Sequence, residues 1–318
     1  MDDRIARIHA KLAALPATEK ASLGPVLTEP QVSAFEDAHG IRLPREFRDF
    51  LTRVGHGGYG PAYGLLPMER WVSGAAEAKG GKPSEPFPIV PDLEIAVRPD
   101  RRGSLAHVFP GTLTVVERGC SDLTLLVVTG PGRGRLVEVN FEGFFPPRFH
   151  ADSDFLSWYE RWLDFVLAGH CDLNWFADQM AGDEAELVST LVNDARATRR
   201  RAAAYTFITY PTPSASLPEI LMQALATEPL PAVRETILRA LAAQGDQGRA
   251  LLPTALADPT PDVRSLAALL MTTPTPQGRR LSTPLRQALG DHLTIEGDDS
   301  VRETIQRVLG PPPLSSRA

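Results

Sequence analysis

Apolar residues recur at three- and four-residue spacing in the opening stretch, where Ile5, Ile8, Leu12 and Leu15 mark one face of a first helix. "TEPQVSAFEDAHG" predicts a second helix, because Thr28 and Gln31 suit a capping box and Gly40 suits the stop. "LPREFRDFLTRV" predicts a third, with Pro44 near its first position, Phe47, Phe50, Leu51 and Val54 on one side, and Gly55 as the left-handed residue that ends it. From about Gly103 the period shortens. "LAHVF", "TLTVVE", "LTLLVVTG" and "RLVEVNF" are rich in Val, Leu and Thr and punctuated by Gly or Pro, which predicts strands of one sheet, and the glycines of "TGPGRGR" suit a hairpin turn. "DSDFLSWYERWLDFVLAGH" closes this half as a helix with an aromatic stripe of Phe155, Trp158, Trp162, Phe165 and Val166 and with Gly169 as its stop.

After about Cys171 the strand pattern ends and a repeat begins. "EPLPAVRETILRAL", "DPTPDVRSLAALLM" and "GDDSVRETIQRVL" each place a turn, then Val-Arg, then apolar residues at helical spacing: Val233, Ile237, Leu238, Leu241; Val263, Leu266, Ala267, Leu270; Val301, Ile305, Val308, Leu309. "NDARATRRRAAAYTF" is a degenerate further copy. Shorter apolar helices, "AELVSTLV", "LPEILMQALAT", "GRALLPTALA" and "PLRQALGDHL", lie between them, which predicts about four helix pairs with a period of roughly 30–40 residues. The pattern resembles HEAT-type repeats, in which stacking supplies the core that one pair lacks. The Arg after each Val is expected to reach an acidic turn residue such as Glu228, Asp258 or Asp298, on its own or a neighbouring repeat.

Composition adds bounds. The chain has 318 residues, 43% hydrophobic and 23% charged, enough for two cores. Its net charge of −6 argues against an extended nucleic-acid footprint, no apolar run approaches membrane-spanning length, and "MDDRIARIHAKLAALP" has acids where a secretory signal needs bases, so a cytoplasmic protein is expected. Two cysteines, Cys120 and Cys171, are too few for a disulfide framework or a four-thiolate zinc site.

Candidate chemistry is sparse. Gly55, Gly57 and Gly60 in "VGHGGYGPAYG" have the G-x-G-x-x-G spacing of a dinucleotide fingerprint, but a helix precedes them where that fingerprint needs a strand. The chain lacks His-Glu-x-x-His, Gly-x-Ser-x-Gly, a Walker loop and Cys-x-x-Cys, and His56, His170 and Cys171 have no partner in the sequence that would make them catalytic. The arginines of "RATRRR" suit a solvated helix face; a helical-repeat glycosylase acting on nucleic acid is the enzyme alternative. No enzyme activity, cofactor, metal or small-molecule substrate is therefore expected.

"LTEPQVSAFEDAHGIRLPREFRDFLTRVGHGGYGPAYGLLPM" is similar to the SUKH superfamily in its helix, Leu-Pro turn, aromatic-anchored second helix and glycine segment, carried by Phe35, Glu36, Gly40, Leu43, Pro44, Phe47, Phe50, Leu51, Gly55, Gly57, Gly58 and Gly64. "GTLTVVERGCSDLTLLVVTGPGRGRLVEVN" looks like the family's sheet, so the match spans roughly residues 20–168, while the Pro-rich stretch "AAEAKGGKPSEPFPIVPDLEIAVRPDRRG" and the repeats depart from it. The fold expected is α+β: SUKH-like helices on a mostly antiparallel sheet over residues 1–170, then an all-α HEAT-like domain over 175–318. The resemblance implies a binding module, either a bacterial immunity protein that neutralises a polypeptide toxin, often a nuclease, or a regulatory scaffold that docks a signalling or cell-wall enzyme. The partner surface is expected around Tyr59, Tyr63, Glu69, Trp71, Asp92, Glu94 and Asp100, as aromatic anchors and acids suited to a basic partner; Tyr63 and Trp71 equally suit a core.

Overall fold

The computed structural model describes residues 3–15, 23–72, 81–90, 109–119, 121–142, 147–170, 176, 178–276 and 278–310. Most of "LAHVF", both cysteines, Asp92, Glu94 and Asp100 lie outside them. The chain divides into two compact units, Met1–Ala177 and Asp178–Ala318. The first mixes helices with antiparallel strands, and the second is mainly helical.

In the first unit, α1 (Asp3–Ala14), α2 (Glu29–His39) and α3 (Arg45–Arg53) stand where the apolar spacing puts them. The Thr28–Gln31 capping box opens α2, and Gly40 closes it in the left-handed conformation with φ 63°. Buried Glu36 explains the Leu-Pro turn that follows: its carboxylate accepts from the Leu43 N–H at 2.8 Å and lies 3.3 Å from Arg48 Nη1. The stop of α3 differs from expectation. Gly55 has φ 157°, extended in the mirror-image sense, and the left-handed residue is Gly57 with φ 64°. A Cβ on Gly55 would lie 2.7 Å from the Gly24 carbonyl oxygen, so glycine serves the close approach of β1 (Leu23–Gly24) to β2 (His56–Gly58).

Strands β3 (Thr112–Glu117), β4 (Asp122–Val127), β5 (Leu136–Asn140) and β6 (Arg148–Phe149) form an antiparallel meander in sequence order. Leu65 bridges Gly58 and Val116 and so joins β2 to β3. The strands read as continuous apolar runs because both faces are covered. Leu113, Leu126 and Leu136 pack against the helices, and a register shift between Thr114 and Val116 lets Val115 and Val116 both join them. Leu125, Val127, Val137 and Val139 face the other way, against Phe87, Ile89 and Phe109. Part of the Pro-rich stretch is thus core: Phe87 is 1% exposed, and its N–H donates to the Thr129 carbonyl at 2.8 Å. Helix α4 (Phe155–Leu167), capped by Asp154, lays its aromatic stripe into the helix-side core. It is tied to α1 by Arg4–Asp154, Arg7–Glu160 and Lys11–Glu160 ion pairs.

The second unit contains α5 (Glu184–Asn193), α6 (Ala197–Thr206), α7 (Leu217–Thr227), α8 (Pro231–Ala243), α9 (Gly245–Leu251), a 3₁₀ turn Leu252–Ala257, α10 (Pro261–Leu270), α11 (Thr283–Leu293) and α12 (Asp299–Leu309). It is not all helix. Thr-Pro-Thr-Pro after Met271 cannot continue a helix, and β7 (Thr273–Thr275) pairs antiparallel with β8 (Gly278–Arg280) in a short hairpin.

An arginine ladder runs along this unit. Four times an acid stands six residues before an arginine: Asp194/Arg200, Glu228/Arg234, Asp258/Arg264 and Glu296/Arg302. Each arginine's Nη1 reaches back to the carbonyl oxygen of its own acid, at 2.9, 3.1, 2.8 and 2.9 Å in that order. Each acid's side chain accepts from the N–H two residues on, at 2.9, 3.0, 2.8 and 2.9 Å. The first three arginines then reach forward to the next copy's acid with two parallel bonds: Arg200 to Glu228 (2.8 and 2.9 Å), Arg234 to Asp258 (2.8 and 3.0 Å) and Arg264 to Glu296 (2.8 and 2.9 Å). The expected partner Asp298 is not a rung. Its side chain caps α12 by accepting from the Ser300 and Val301 N–H groups, and Glu296, two residues earlier, takes the arginine.

The ladder should make this unit acid-labile. The Arg264 hydrogen bonds, the Asp298 N–H and His292 hold the Glu296 carboxyl down at about 2. Burial alone would raise Glu228, but Arg200 and the Leu230 N–H outweigh it and hold it below its ordinary value. Carboxyls lowered by folding stabilise fully above the unfolded value near 4.5 and lose that contribution as pH falls through the folded value. Circular dichroism of the helices should therefore be flat from pH 7 to about 5 and fall between about 4.5 and 2, and Glu296→Gln should shrink the loss over that window.

Candidate protein-binding surface

Backbone geometry presents the glycine segment. After β2 the chain turns through Tyr59–Gly64 and returns as Leu65, whose N–H donates to the Gly58 carbonyl at 2.7 Å. The turn is closed by Gly64 N–H to the Pro61 carbonyl at 2.9 Å, with Ala62 at φ 53°, the one non-glycine positive φ among the described residues. A turn with positive φ at its second position ordinarily uses glycine, so alanine here carries local strain. Tyr63, the next residue, is 78% exposed and lies over Gly119, between β3 and β4.

The residues expected to form a partner surface separate into two groups. Tyr63 and Glu69 are exposed, and beside Glu69 the Arg70 guanidinium pairs with Glu117 at 2.7 Å. Tyr59 is half-buried, with its ring edge-on to Trp162 at 4.8 Å and its carbonyl accepting from the Tyr159 hydroxyl at 2.9 Å. Trp71 belongs to the core. It is 1% exposed, packs on Phe35 and Phe47 at 5.2 and 5.1 Å, and donates its indole N–H to the Leu66 carbonyl at 2.8 Å. Backbone placement decides the difference: Trp71 follows a 3₁₀ turn, Met68–Arg70, that sets it against the edge strand β3, where its carbonyl accepts from the Thr114 N–H at 2.9 Å, and the sequence carries no periodic signal for so short a turn.

The glycines of the G-x-G-x-x-G spacing face the chain itself. A Cβ on Gly57 would meet the Pro67 backbone at 3.2 Å. The cleft beside it, lined by Phe47, Phe50, His56, Trp71 and Phe155, has room for about one water. His56 hydrogen-bonds the Pro25 carbonyl at 2.6 Å, and His170 packs edge-on to Phe165 at 4.5 Å. Three arginines of "RATRRR" are engaged by carboxylates: Arg196 and Arg199 by Asp194, and Arg200 by Glu228.

One polar cluster was not visible in the sequence. On the helix side of the sheet, Glu138 is 3% exposed and accepts from Thr124 Oγ1 at 2.9 Å, from His150 Nε2 at 2.8 Å and from Arg118 Nη1. Burial, then the guanidinium charges of Arg161, Arg118, Arg148 and Arg135, push the His150 imidazole well below its ordinary range, so it is neutral at pH 7 with its proton on Nε2 facing the carboxylate. Arg118, Thr124, Glu138 and His150 come from four separate segments, and only the pairing of Thr124, Glu138 and Arg148 across β4, β5 and β6 brings them together. Among the described residues, no group of three or more His, Cys, Asp and Glu could hold a metal ion, and no helix is long and apolar enough to cross a membrane.

No family model, curated protein or solved structure matches the chain.

Proposed function

We propose that this chain is a non-enzymatic, cytoplasmic protein-binding module, a SUKH-like domain followed by a HEAT-like repeat domain, that acts as an immunity protein and neutralises a cognate polypeptide toxin. The observation that carries the reading is Tyr63, a large aromatic side chain 78% exposed on a turn held by the strained Ala62. Tyrosine is a frequent anchor of protein interfaces because it buries a rigid, amphipathic ring at small entropic cost. Exposed Glu69 gives the same segment a surface acid that favours a basic partner, while half-buried Glu117 is held by Arg70. Recognition needs no cofactor, metal, nucleic acid or membrane.

A scaffold reading, in which the second unit docks a signalling or cell-wall enzyme, draws on exposed Leu230 (45%) and Ile295 (78%) at the acidic turns of the ladder. The adjacent gene discriminates the two. If it encodes a large secreted protein with a toxic C-terminal domain, co-expression of the full chain should restore growth and retain that domain in a pull-down, and Tyr63→Ala should weaken retention at least tenfold. Growth arrest that persists with the full chain present would overturn the immunity reading.

A further inference from the structure

The arginine ladder is closed at one end and open at the other. At its first acid, Asp194, no earlier copy supplies an arginine among the described residues, and the start of α6 fills the place: Arg196 and Arg199 reach the carboxylate at 3.2 and 2.7 Å. Nothing comparable happens at its last arginine, the half-buried Arg302. Its Nη1 is anchored as in the other copies, on the Glu296 carbonyl at 2.9 Å, with the Leu293 carbonyl at 3.4 Å as a second acceptor. Its Nε and Nη2, the two atoms with which Arg200, Arg234 and Arg264 grip the next carboxylate, have no acceptor among the described residues. The nearby acids are claimed elsewhere: Glu296 by Arg264 and His292, Asp298 by the cap of α12, and Glu303 by Arg307.

Arg302 is thus half of a rung, already built. The anchor on Glu296 holds the guanidinium in place, so little of its freedom remains to be lost on binding. The three complete rungs show what the fork fits: the carboxylate of an acidic turn, whose two oxygens accept from Nε and Nη2 at 2.8–3.0 Å. Directly before Glu296 stands Ile295, 78% exposed, where the two preceding copies have Thr227 and Ala257. The fork selects a carboxylate, and the isoleucine offers apolar area that a bare anion cannot cover and a polypeptide turn can.

We propose that the Arg302 end of the ladder is a docking site for an acidic turn of a partner protein, which supplies the missing carboxylate and completes the rung. A second copy of this chain is not that partner, because its four ladder acids are each taken by an arginine of the same copy. The site concerns the second unit alone and does not rest on the immunity reading.

The test is a titration of the nitrogen-15-labelled full chain with acetyl-Ala-Asp-Pro-Thr-amide, the turn sequence of residues 257–260, followed by NMR of the arginine Nε–H groups. The Arg302 signal, identified by its loss in Arg302→Lys, should shift and saturate while those of Arg200, Arg234 and Arg264 stay in place. The asparagine analogue of the peptide and free acetate should each need a concentration higher by about tenfold or more, the first for want of charge and the second for want of a flank over Ile295. Arg302→Lys keeps the charge without the fork and should abolish the accompanying shifts of the Ile295 and Gly297 backbone N–H groups. Ile295→Ala should weaken binding of the peptide and leave that of acetate unchanged. An Arg302 signal that stays still in the aspartate peptide, or that answers equally to acetate or to the asparagine peptide, refutes the docking site. So does a dimer in sedimentation velocity that Arg302→Lys dissolves, since a second copy would then be the occupant. Should Arg302→Lys fail to fold, the signal is assigned through the Arg302 side-chain carbons, and the comparison of peptides with acetate in the unaltered chain and in Ile295→Ala decides.

Discussion

Arg234→Ala should be among the most destabilising single changes in the second unit, at about 3–4 kcal/mol in urea unfolding followed by circular dichroism. The guanidinium is buried and makes five hydrogen bonds: two to Asp258, one to the Thr260 hydroxyl at 3.0 Å, and two to the Glu228 and Pro229 carbonyls at 3.1 and 2.9 Å. Truncation leaves Asp258 without its counter-charge and two turn carbonyls without donors, and an uncompensated buried charge costs more than the intact pair contributes. Arg307→Ala is the matched control. Arg307 lies on α12 with its side chain 66% exposed, paired among the described residues only with Glu303 at 3.7 Å, and its loss should stay within about 0.5 kcal/mol. Arg234→Lys should recover little, since an ammonium cannot reproduce the fork across Asp258 and the turn. Equal effects at Arg234 and Arg307 would mean that the ladder contributes nothing to cohesion.

Trp71→Ala and Tyr63→Ala should separate folding from binding. Trp71 fills the space between Phe35, Phe47 and Leu66, so its truncation should cost about 3–5 kcal/mol and lower the melting temperature of the first unit. Tyr63 contributes little to the core, and Tyr63→Ala should leave the melting temperature almost unchanged while weakening retention of the proposed toxin partner. The two variants should therefore fail in opposite assays. A Tyr63→Ala protein that melts early would place the ring in the fold, and one that binds as well as the unaltered chain would remove it from the interface. Ala62→Gly adds a check on the turn: glycine relieves the positive φ, so stability should rise by up to about 1 kcal/mol.

Much of this architecture is written in local pattern. The Thr28–Gln31 box, the Gly40 stop, the aromatic stripe of α4, the "TGPGRGR" hairpin and the Val-Arg copies are each short-range signals, because capping, helical periodicity and turn conformation depend on residues a few positions apart. Tertiary structure decided what no local signal can carry. Phe87 and Ile89, within a Pro-rich stretch, became the second cover of the sheet because two-sided apolar strands need one, and nothing nearby in sequence says which segment supplies it. Trp71 went inside and Tyr63 outside although both are aromatic residues of one short segment, because burial depends on what the sheet edge leaves open. Glu296 rather than Asp298 took the last rung, since the N-cap of α12 claimed the nearer-looking acid. The Glu138–His150 site formed only when three strands fell into register, which sequence spacing cannot express. Local chemistry set the elements; the competition among distant segments for the same buried space set the surface and the buried charges.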